Sequence, residues 1–452
     1  MRPRQRQPID IGMWLSRTAR MARQMVISPY PTDGTTEEQR TGLQMLWWDT
    51  LLASMSVAFV TDFETLYLLA LGASSATIGA RASIVAAAGL IAPLVGAWLV
   101  ARSGKRKIWV LLSGGGIGRV ALLLSAFAPV LFMRPVSAVA FVMVLAGVRS
   151  FMGSVSLPPF NSLFGDLVPP PIRGRVMGIR MMAASAVTVL MLPIAGYLIE
   201  SIGGVQGYQV TLIIASMLGF AATLFYARIP EISGEESTRQ PAGGFAHGLT
   251  AFLADRGFVL FCAINFVWTL GIQISGPFFS VHMVENLGFG VDTIALLTTI
   301  VTVFNIFAVR YAGTLVDKRG AEWVTMIGML LVPLMPVAWI FAQTPLEVGI
   351  ARIYGIFAWA GVHVAATPFI LLISPPRYRS QYIAIFNTLN GVAGVLGPLP
   401  AAWLYANYGF TSNLVISAAV RALGGILFLI ASLRGVFRAK AAAEGAALVR
   451  TQ

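Results

Sequence analysis

The stretch "LGASSATIGARASIV", residues 71–85, reads almost as a copy of "LGFGVDTIALLTTIV", residues 287–301. Sliding the sequence so that residue 71 meets residue 287 places Leu71, Gly72, Thr77, Ile78, Ile84 and Val85 on identical residues. The register then runs on without a gap, carrying Ala92, Leu99, Val100 and Gly104 onto Ala308, Leu315, Val316 and Gly320. A weaker echo pairs "SLPPFNSLFGDLVPPPIRGR" at 156–175 with "AATPFILLISPPRYRS" at 365–380. The two halves of the chain are therefore copies of one unit.

What that unit is follows from composition. The chain has 452 residues, 57% hydrophobic and 11% charged, and its mean hydropathy is +0.76. A soluble domain holds about 45–50% apolar residues, so this is a polytopic membrane protein. A membrane-crossing helix needs about 20 predominantly apolar residues. Twelve such runs are present, near 44–70, 77–100, 108–132, 136–163, 175–200, 208–227, 257–284, 292–316, 323–342, 347–373, 380–405 and 411–434. The expected fold is all-α, with twelve transmembrane helices in two pseudo-symmetric six-helix bundles, 44–227 and 257–434. Between them lies a polar, Gly-, Pro- and Ser-rich linker at 228–256.

The formal charge of +13 sits between the apolar runs and not in aromatic-interleaved patches, which argues against a nucleic-acid partner and makes the basicity a topology signal. Basic residues fall on one side: Arg2 to Arg40 before the first run, Arg102 to Lys107, Arg173 and Arg175, Arg228 to Arg256, Lys318 and Arg319, Arg377 and Arg379, and Arg434 to Lys440. The opposite loops carry Arg134 alone. Lys and Arg accumulate on the cytoplasmic side, so both termini are expected there, in the cell inner or plasma membrane. The first run starts too far in for a cleaved signal peptide. The basic segment 1–43 holds "IDIGMWLSRTARMARQMVI" at 9–27, which suits a helix lying on an anionic leaflet, and residues 435–452 form a cytoplasmic tail. Thr35 or Thr36 is expected to cap the first helix. Cys262, the one cysteine, excludes an internal disulfide.

The loop after the second run of each half carries a charged knot. In "AGTLVDKRGAE", 312–322, Gly313, Asp317, Lys318 and Gly320 resemble the GxxxD[RK]xG signature of the major facilitator superfamily. The first-half copy keeps Arg102, Gly104, Lys105 and Arg106 but has Ala97 and Ala101 at the Gly and Asp positions. "RSFMG", Arg149 to Gly153, is similar to the RxxQG motif of proton-coupled members, with Met152 for Gln. The resemblance covers 44–434. It implies a transporter that rocks two bundles about a midplane site, and a latch in which the loop aspartate meets a neighbouring helix in one conformation only. Physically, a carboxylate at one helix end is stabilised by the positive N-terminus of another. Because Ala101 replaces the first-half aspartate, Asp317 against the start of span 5, near Gly174 to Met177, is expected to carry more of the gating.

Ionisable groups at membrane depth are costly and point to function. Span 1 carries Asp62 and Glu64, span 2 Arg81, span 3 Arg119 and span 4 Arg149. Two positions apart on a continuous helix, the acids face opposite ways. Asp62, beside Ser54, Ala58, Thr61 and Thr65, is expected to line the cavity and to form the coupling pair with Arg149, or with Arg119. Such a carboxylate can take a proton when the arginine moves away or substrate arrives. Glu64 with Arg81 is expected to be a structural ion pair. The arginine excess favours substrates with an anionic group.

The second half offers neutral polar groups, of which Asn265, Gln273, Asn387 and Asn390 are the candidates for reading substrate. Asn387, Asn390, Gly391, Gly394 and Gly397 share one helical face, which serves either recognition or helix packing. His282 and His363 have no clustered partner for a metal. Arg352 and Arg421 are near enough to span ends to snorkel. "SGGGIG" at 113–118 reads as helix packing within span 3.

The function expected is a secondary active transporter moving a small solute by alternating access, coupled to protons, without cofactor and as a monomer. A transporter-shaped sensor or assembly factor is the alternative that Ala101 keeps open. A drug efflux antiporter is the other, although "VLMLPIAGY" in span 5 lacks the glycine before Pro193 usual there. Enzyme motifs such as HExxH, GxSxG and GxxxxGK[ST] are absent from the sequence.

Overall fold

The structure, a computed structural model, describes residues 29–31, 34–61, 63–231, 245–375 and 379–437. The surface helix expected at 9–27, Asp62, and residues 438–452 lie outside the described residues.

Span 1 is Glu37–Ala58 followed by Phe63–Ala70. Thr36 opens it with a reciprocal cap: its hydroxyl accepts from the Gln39 amide N–H at 3.2 Å, and Gln39 Oε1 accepts from the Thr36 N–H at 3.0 Å. Span 2 is Ser75–Ser103 and span 8 is Val291–Arg319, both 29 residues long. Each begins and ends at positions matched by the internal repeat, and each is followed by a glycine with positive φ, Gly104 at 66° and Gly320 at 83°. Spans 4, 5 and 6 are Pro135–Leu167, Pro170–Ile202 and Gly204–Ala227. Span 3 runs from Arg106 to Leu131 through a π-helical turn, Leu111–Ile117.

The second half follows the short helix Phe245–Ala254. Span 7 runs Arg256–Glu285 and span 9 Ala321–Phe341. Span 10 is Pro345–Ile373, opened by a second reciprocal cap between Thr344 and Glu347. The last helical run, Tyr382–Leu433, contains two passes. At Gly409 the backbone has φ 76° and ψ 175°, a conformation open to glycine because it lacks a Cβ. The chain doubles back there, and Asn413 Nδ2 donates to the Ala401 carbonyl at 3.1 Å. Twelve passes in two sets of six are thus present among the described residues. Large apolar side chains such as Leu94, Val130, Val136, Leu190 and Leu433 cover the outside, as a lipid environment requires.

Three large apolar cores, and a small cluster around Ala308, Ala312 and Ala360, hold the bundles among the described residues. One joins both halves at the face opposite the basic loops, mixing Phe63, Tyr67 and Ile78 with Phe278, Ala402 and Phe410. Toward the basic face each half has its own core, around Leu46, Trp47 and Phe164 in the first and Phe261, Phe369 and Phe428 in the second. The halves are therefore packed together at one end and separately cored at the other.

Candidate substrate and coupling site

Span 1 is interrupted between Ala58 and Phe63, so Glu64 sits in the first turn of a fresh helix. It is buried, and its Oε2 accepts from both Arg81 Nη2 and Arg149 Nη2. One carboxylate thus ties spans 1, 2 and 4, and the cluster carries one positive charge in excess. The Glu64–Arg81 contact read from the sequence is present. Arg149, expected opposite Asp62, has its contact on Glu64. The reading of opposite faces assumed a continuous helix, whereas span 1 is interrupted between Ala58 and Phe63.

A cavity of about 480 Å³ lies toward the basic face of the first half, walled by Asp49, Arg119, Arg149, Arg180, Phe160 and Tyr226 among others. Every arginine in it is held by a partner. Arg119 Nη1 donates to Ser56 Oγ at 3.0 Å, while Ser56 Oγ donates onward to the Ala215 carbonyl at 2.6 Å. Gly219 makes room for that arginine, since a Cβ there would come within 2.6 Å of Arg119 Cδ. Arg180 Nε donates to Thr50 Oγ1 at 3.2 Å, and its guanidinium lies 4.6 Å from the Phe160 ring centroid, a cation–π geometry. Asp49 differs, because its carboxylate accepts no hydrogen bond among the described residues.

The glycine-rich stretch of span 3 does more than pack helices. Its wide turn places Gly114, Gly115 and Gly118 in the cavity wall, and Thr223 Oγ1 donates to the Gly115 carbonyl at 3.2 Å. Single π-turns of this kind recur at functional sites. Neither Asp49 nor Arg180 stands out in the sequence, since both lie close to the basic ends of their spans, where a charged side chain ordinarily reaches water. A useful signal was available in "LWWDTLL", an acid enclosed by apolar residues on both sides.

In the second half, Asn265 Nδ2 donates to Asn390 Oδ1 at 2.7 Å, and Thr269 Oγ1 donates to the same oxygen at 3.1 Å. This joins span 7 to span 11. Gln273 packs where Cβ atoms at Gly394 and Gly397 would meet it, while Asn387 is exposed. Gly391 and Gly394 also face Leu90 and Ala86 of span 2, so this stripe packs helices across the two halves. His363 stacks on Trp359 with centroids 5.0 Å apart. Arg352 Nη2 donates to Thr298 Oγ1 at 3.0 Å. Arg421 does not snorkel: it is 1% exposed and donates to Ser275 Oγ at 2.8 Å, because Gly271 opposite leaves space for its stem.

The halves meet at the face away from the basic loops. A Cβ on Gly79 would lie 2.6 Å from Ala402 Cβ, Ser83 Oγ donates to the Val395 carbonyl at 2.8 Å, and Gly196 packs on Ala295. Arg106 pairs with Asp166, donates to Ser162 Oγ at 3.0 Å, and gives its backbone N–H to Glu231 Oε1 at 3.1 Å. Arg102 lies 5.7 Å from the Trp98 ring centroid. Asp317 and Lys318 are exposed, and Asp317 has no hydrogen bond or ion pair among the described residues. The expected contact of Asp317 with span 5 is open in this conformation.

Comparison with known proteins gives a consistent picture. A family model described as "Major Facilitator Superfamily" matches residues 46–273 and 262–449. Multidrug resistance protein MdtG of Escherichia coli strain 536 is 25% identical over 412 residues, 87% of this chain and 95% of its own length. MdtG of Klebsiella pneumoniae is 25% identical over 399 residues, 84% and 91% of the two chains. Among solved structures, a mutant of the nucleoside transporter NupG superposes with a TM-score of 0.68 at 15% identity, over 87% of this chain and 100% of its own. A D-xylose–proton symporter superposes at 0.67 and 14% identity, over 84% and 94%. At these identities the structural likeness speaks for the fold alone.

Proposed function

The chain belongs to the Major Facilitator Superfamily, and from that premise we propose that it is a secondary active transporter coupling a small solute to protons by alternating access, acting as a monomer with both termini in the cytoplasm. The observation that carries the reading is the charged cavity of about 480 Å³ beside a one-sided closure of the two halves. A cavity of that size holds a small organic molecule. The halves share a core at one face and keep separate cores at the other. Rocking about such a joint exchanges which face is open, which is the motion alternating access needs.

Proton coupling rests on the acids of the first half. Glu64 shares its carboxylate between Arg81 and Arg149, and Arg149 also borders the cavity, so solute and carboxylate compete for one guanidinium. Asp62 stays in the proposal with Arg149 and Arg119, Asn265 and Asn390 as groups bearing on substrate from the second half, and Asp317, Lys318, Gly313, Gly320, Arg102 and Gly104 as the latch. The name of the curated relatives, multidrug resistance protein, favours a second reading, a drug efflux antiporter.

The test is a thermal-shift screen of the purified protein against pooled metabolites and drugs at two pH values, followed by flux of each hit in proteoliposomes under an imposed pH gradient. A ligand at about 100 times its Kd adds roughly 2.7 kcal/mol of apparent stability. Hits whose flux follows the gradient support the proposal, and an organic cation driven outward would favour the second reading. Binding without flux under any gradient would favour a sensor.

A further inference from the structure

The cavity described above contains three guanidiniums and one carboxylate, those of Arg119, Arg149, Arg180 and Asp49. Arg149 has Glu64 as a counter-ion, shared with Arg81. Among the described residues Arg119 and Arg180 have only hydroxyls as hydrogen-bond partners, Ser56 and Thr50. Hydroxyls orient a guanidinium without neutralising it. Arg119 Nε is moreover buried with no hydrogen-bond partner among the described residues, and an arginine fork presents several donors suited to planar or tetrahedral oxyanions. The remaining wall is apolar at Leu111, Leu157, Phe160 and Met177, and the Phe160 ring is already stacked beneath Arg180.

Asp49 is the counter-ion that remains for Arg119 and Arg180, and nothing among the described residues holds it by a hydrogen bond. The ionisable groups around it are Tyr30 ahead of its own helix, Arg119 from span 3, Arg149 from span 4, Arg180 from span 5 and Tyr226 from span 6. All the charged ones are cations. The Tyr226 hydroxyl is buried without a hydrogen bond among the described residues.

We infer that this cavity binds organic anions, with a carboxylate, phosphonate or sulfonate head between Arg119 and Arg180 and a flat apolar body along Phe160, and that Asp49 carries the proton that travels with them. The last clause rests on the transport reading. An entering anionic head takes over the two guanidiniums from Asp49. Two anions then face the same cations at close range, and the repulsion is relieved when an Asp49 oxygen takes a proton from water in the cavity. The neutral carboxyl becomes a donor to the bound head. One proton therefore accompanies each monoanion, and the pair is electrically neutral. An organic cation, in contrast, meets three guanidiniums on entry.

The probe is naphthalene-2-sulfonate, which stays ionised at every working pH, so any pH dependence belongs to the protein. Its affinity is measured by calorimetry on the full chain in lipid nanodiscs, against empty discs, beside the uncharged naphthalene-2-sulfonamide and a naphthyl trimethylammonium salt. The sulfonate alone is expected to bind, with affinity falling by up to about tenfold per pH unit as pH rises. Repeating the titration in buffers of different ionisation enthalpy counts the protons taken up. The wild type is expected to take up close to one per sulfonate on the alkaline side. Asp49→Asn is expected to bind at both pH values with no proton uptake, and Arg119→Gln and Arg180→Gln to lose about tenfold or more in affinity.

Failure of the sulfonate to bind, preference for the ammonium salt, zero proton uptake in the wild type, or pH dependence that survives in Asp49→Asn each overturns the inference. The wild-type proton count stands even if a variant fails to fold. Sulfonate binding with proton uptake but no flux in proteoliposomes would support the site and remove the transport reading. Flux of other solutes with no sulfonate binding would do the reverse.

Discussion

Replacing Gly79 by alanine is expected to tip the resting balance between the two conformations. In this structure the added methyl group would lie 2.6 Å from Ala402 Cβ and 2.8 Å from the Pro398 carbonyl oxygen, both well inside normal contact distance. Both obstacles belong to the other half, so the strain falls on the conformer in which this face is closed and vanishes where it opens. Overpacking of this kind costs about 1–3 kcal/mol, and a differential of that size changes a two-state ratio by about 5- to 150-fold. Spin labels on cysteines at Ser103 and Arg319, both exposed at the basic face, report the ratio as two distances in pulsed electron resonance. The native Cys262 is buried and stays unlabelled. Gly79→Ala should enlarge the short-distance population, and adding Ala402→Gly should recover part of the shift, since the carbonyl contact remains. A folded Gly79→Ala protein with an unchanged distance distribution would refute the assignment of this contact to one conformer.

Three further outcomes are expected. Glu64→Gln leaves the Arg81 and Arg149 guanidiniums facing a neutral amide, and breaking a buried charge pair costs roughly 3–5 kcal/mol; the thermal midpoint should fall, with partial recovery on adding Arg149→Met, and an unaltered midpoint would make the cluster energetically idle. Asp317→Ala should leave the conformer described here as stable as before, because Asp317 has no hydrogen bond or ion pair in it among the described residues, yet should reduce the alternative population seen by the same label pair. If the ratio does not move, Asp317 is not a latch. Gly219→Ala should drive Arg119 off Ser56 and weaken naphthalene-2-sulfonate binding by about tenfold without altering the Arg81–Glu64–Arg149 cluster; equal affinity would show that Arg119 does not touch the ligand.

Most of the architecture was open to reading because its causes are spread over many residues. Twelve apolar runs, alternating loop charge and a register kept from Leu71 to Gly104 in both halves each encode the fold redundantly, and the structure shows spans 2 and 8 with matching limits. The site depends instead on single local events. Periodicity alone cannot reveal that span 1 breaks after Ala58, yet Glu64, the acid Arg149 contacts, lies in the first turn after that break. The π-turn at Leu111–Ile117 likewise turns a glycine-rich stretch that reads as packing into a cavity wall. Asp49 and Arg180 lie where charged side chains are inexpensive by depth, so depth does not flag them, and only the bundle shows them converging. Arg421 fails in the other direction, since reaching the surface is one option for such a residue and Gly271 opens a second.

The shared core gives the molecule a temperature dependence of its own. Phe63, Tyr67, Ile78, Phe278, Ala402 and Phe410 are joined by apolar contact, and opening this face would let water reach part of that surface. Apolar association weakens on cooling, and its exposure carries a positive heat capacity. The closed joint is therefore expected to be looser in the cold than at growth temperature, with a curved and not a linear dependence of the conformer ratio on temperature. Chilling would thus favour the opposite opening, and a protein captured cold would sample a different mixture of shapes from one at work in a warm membrane.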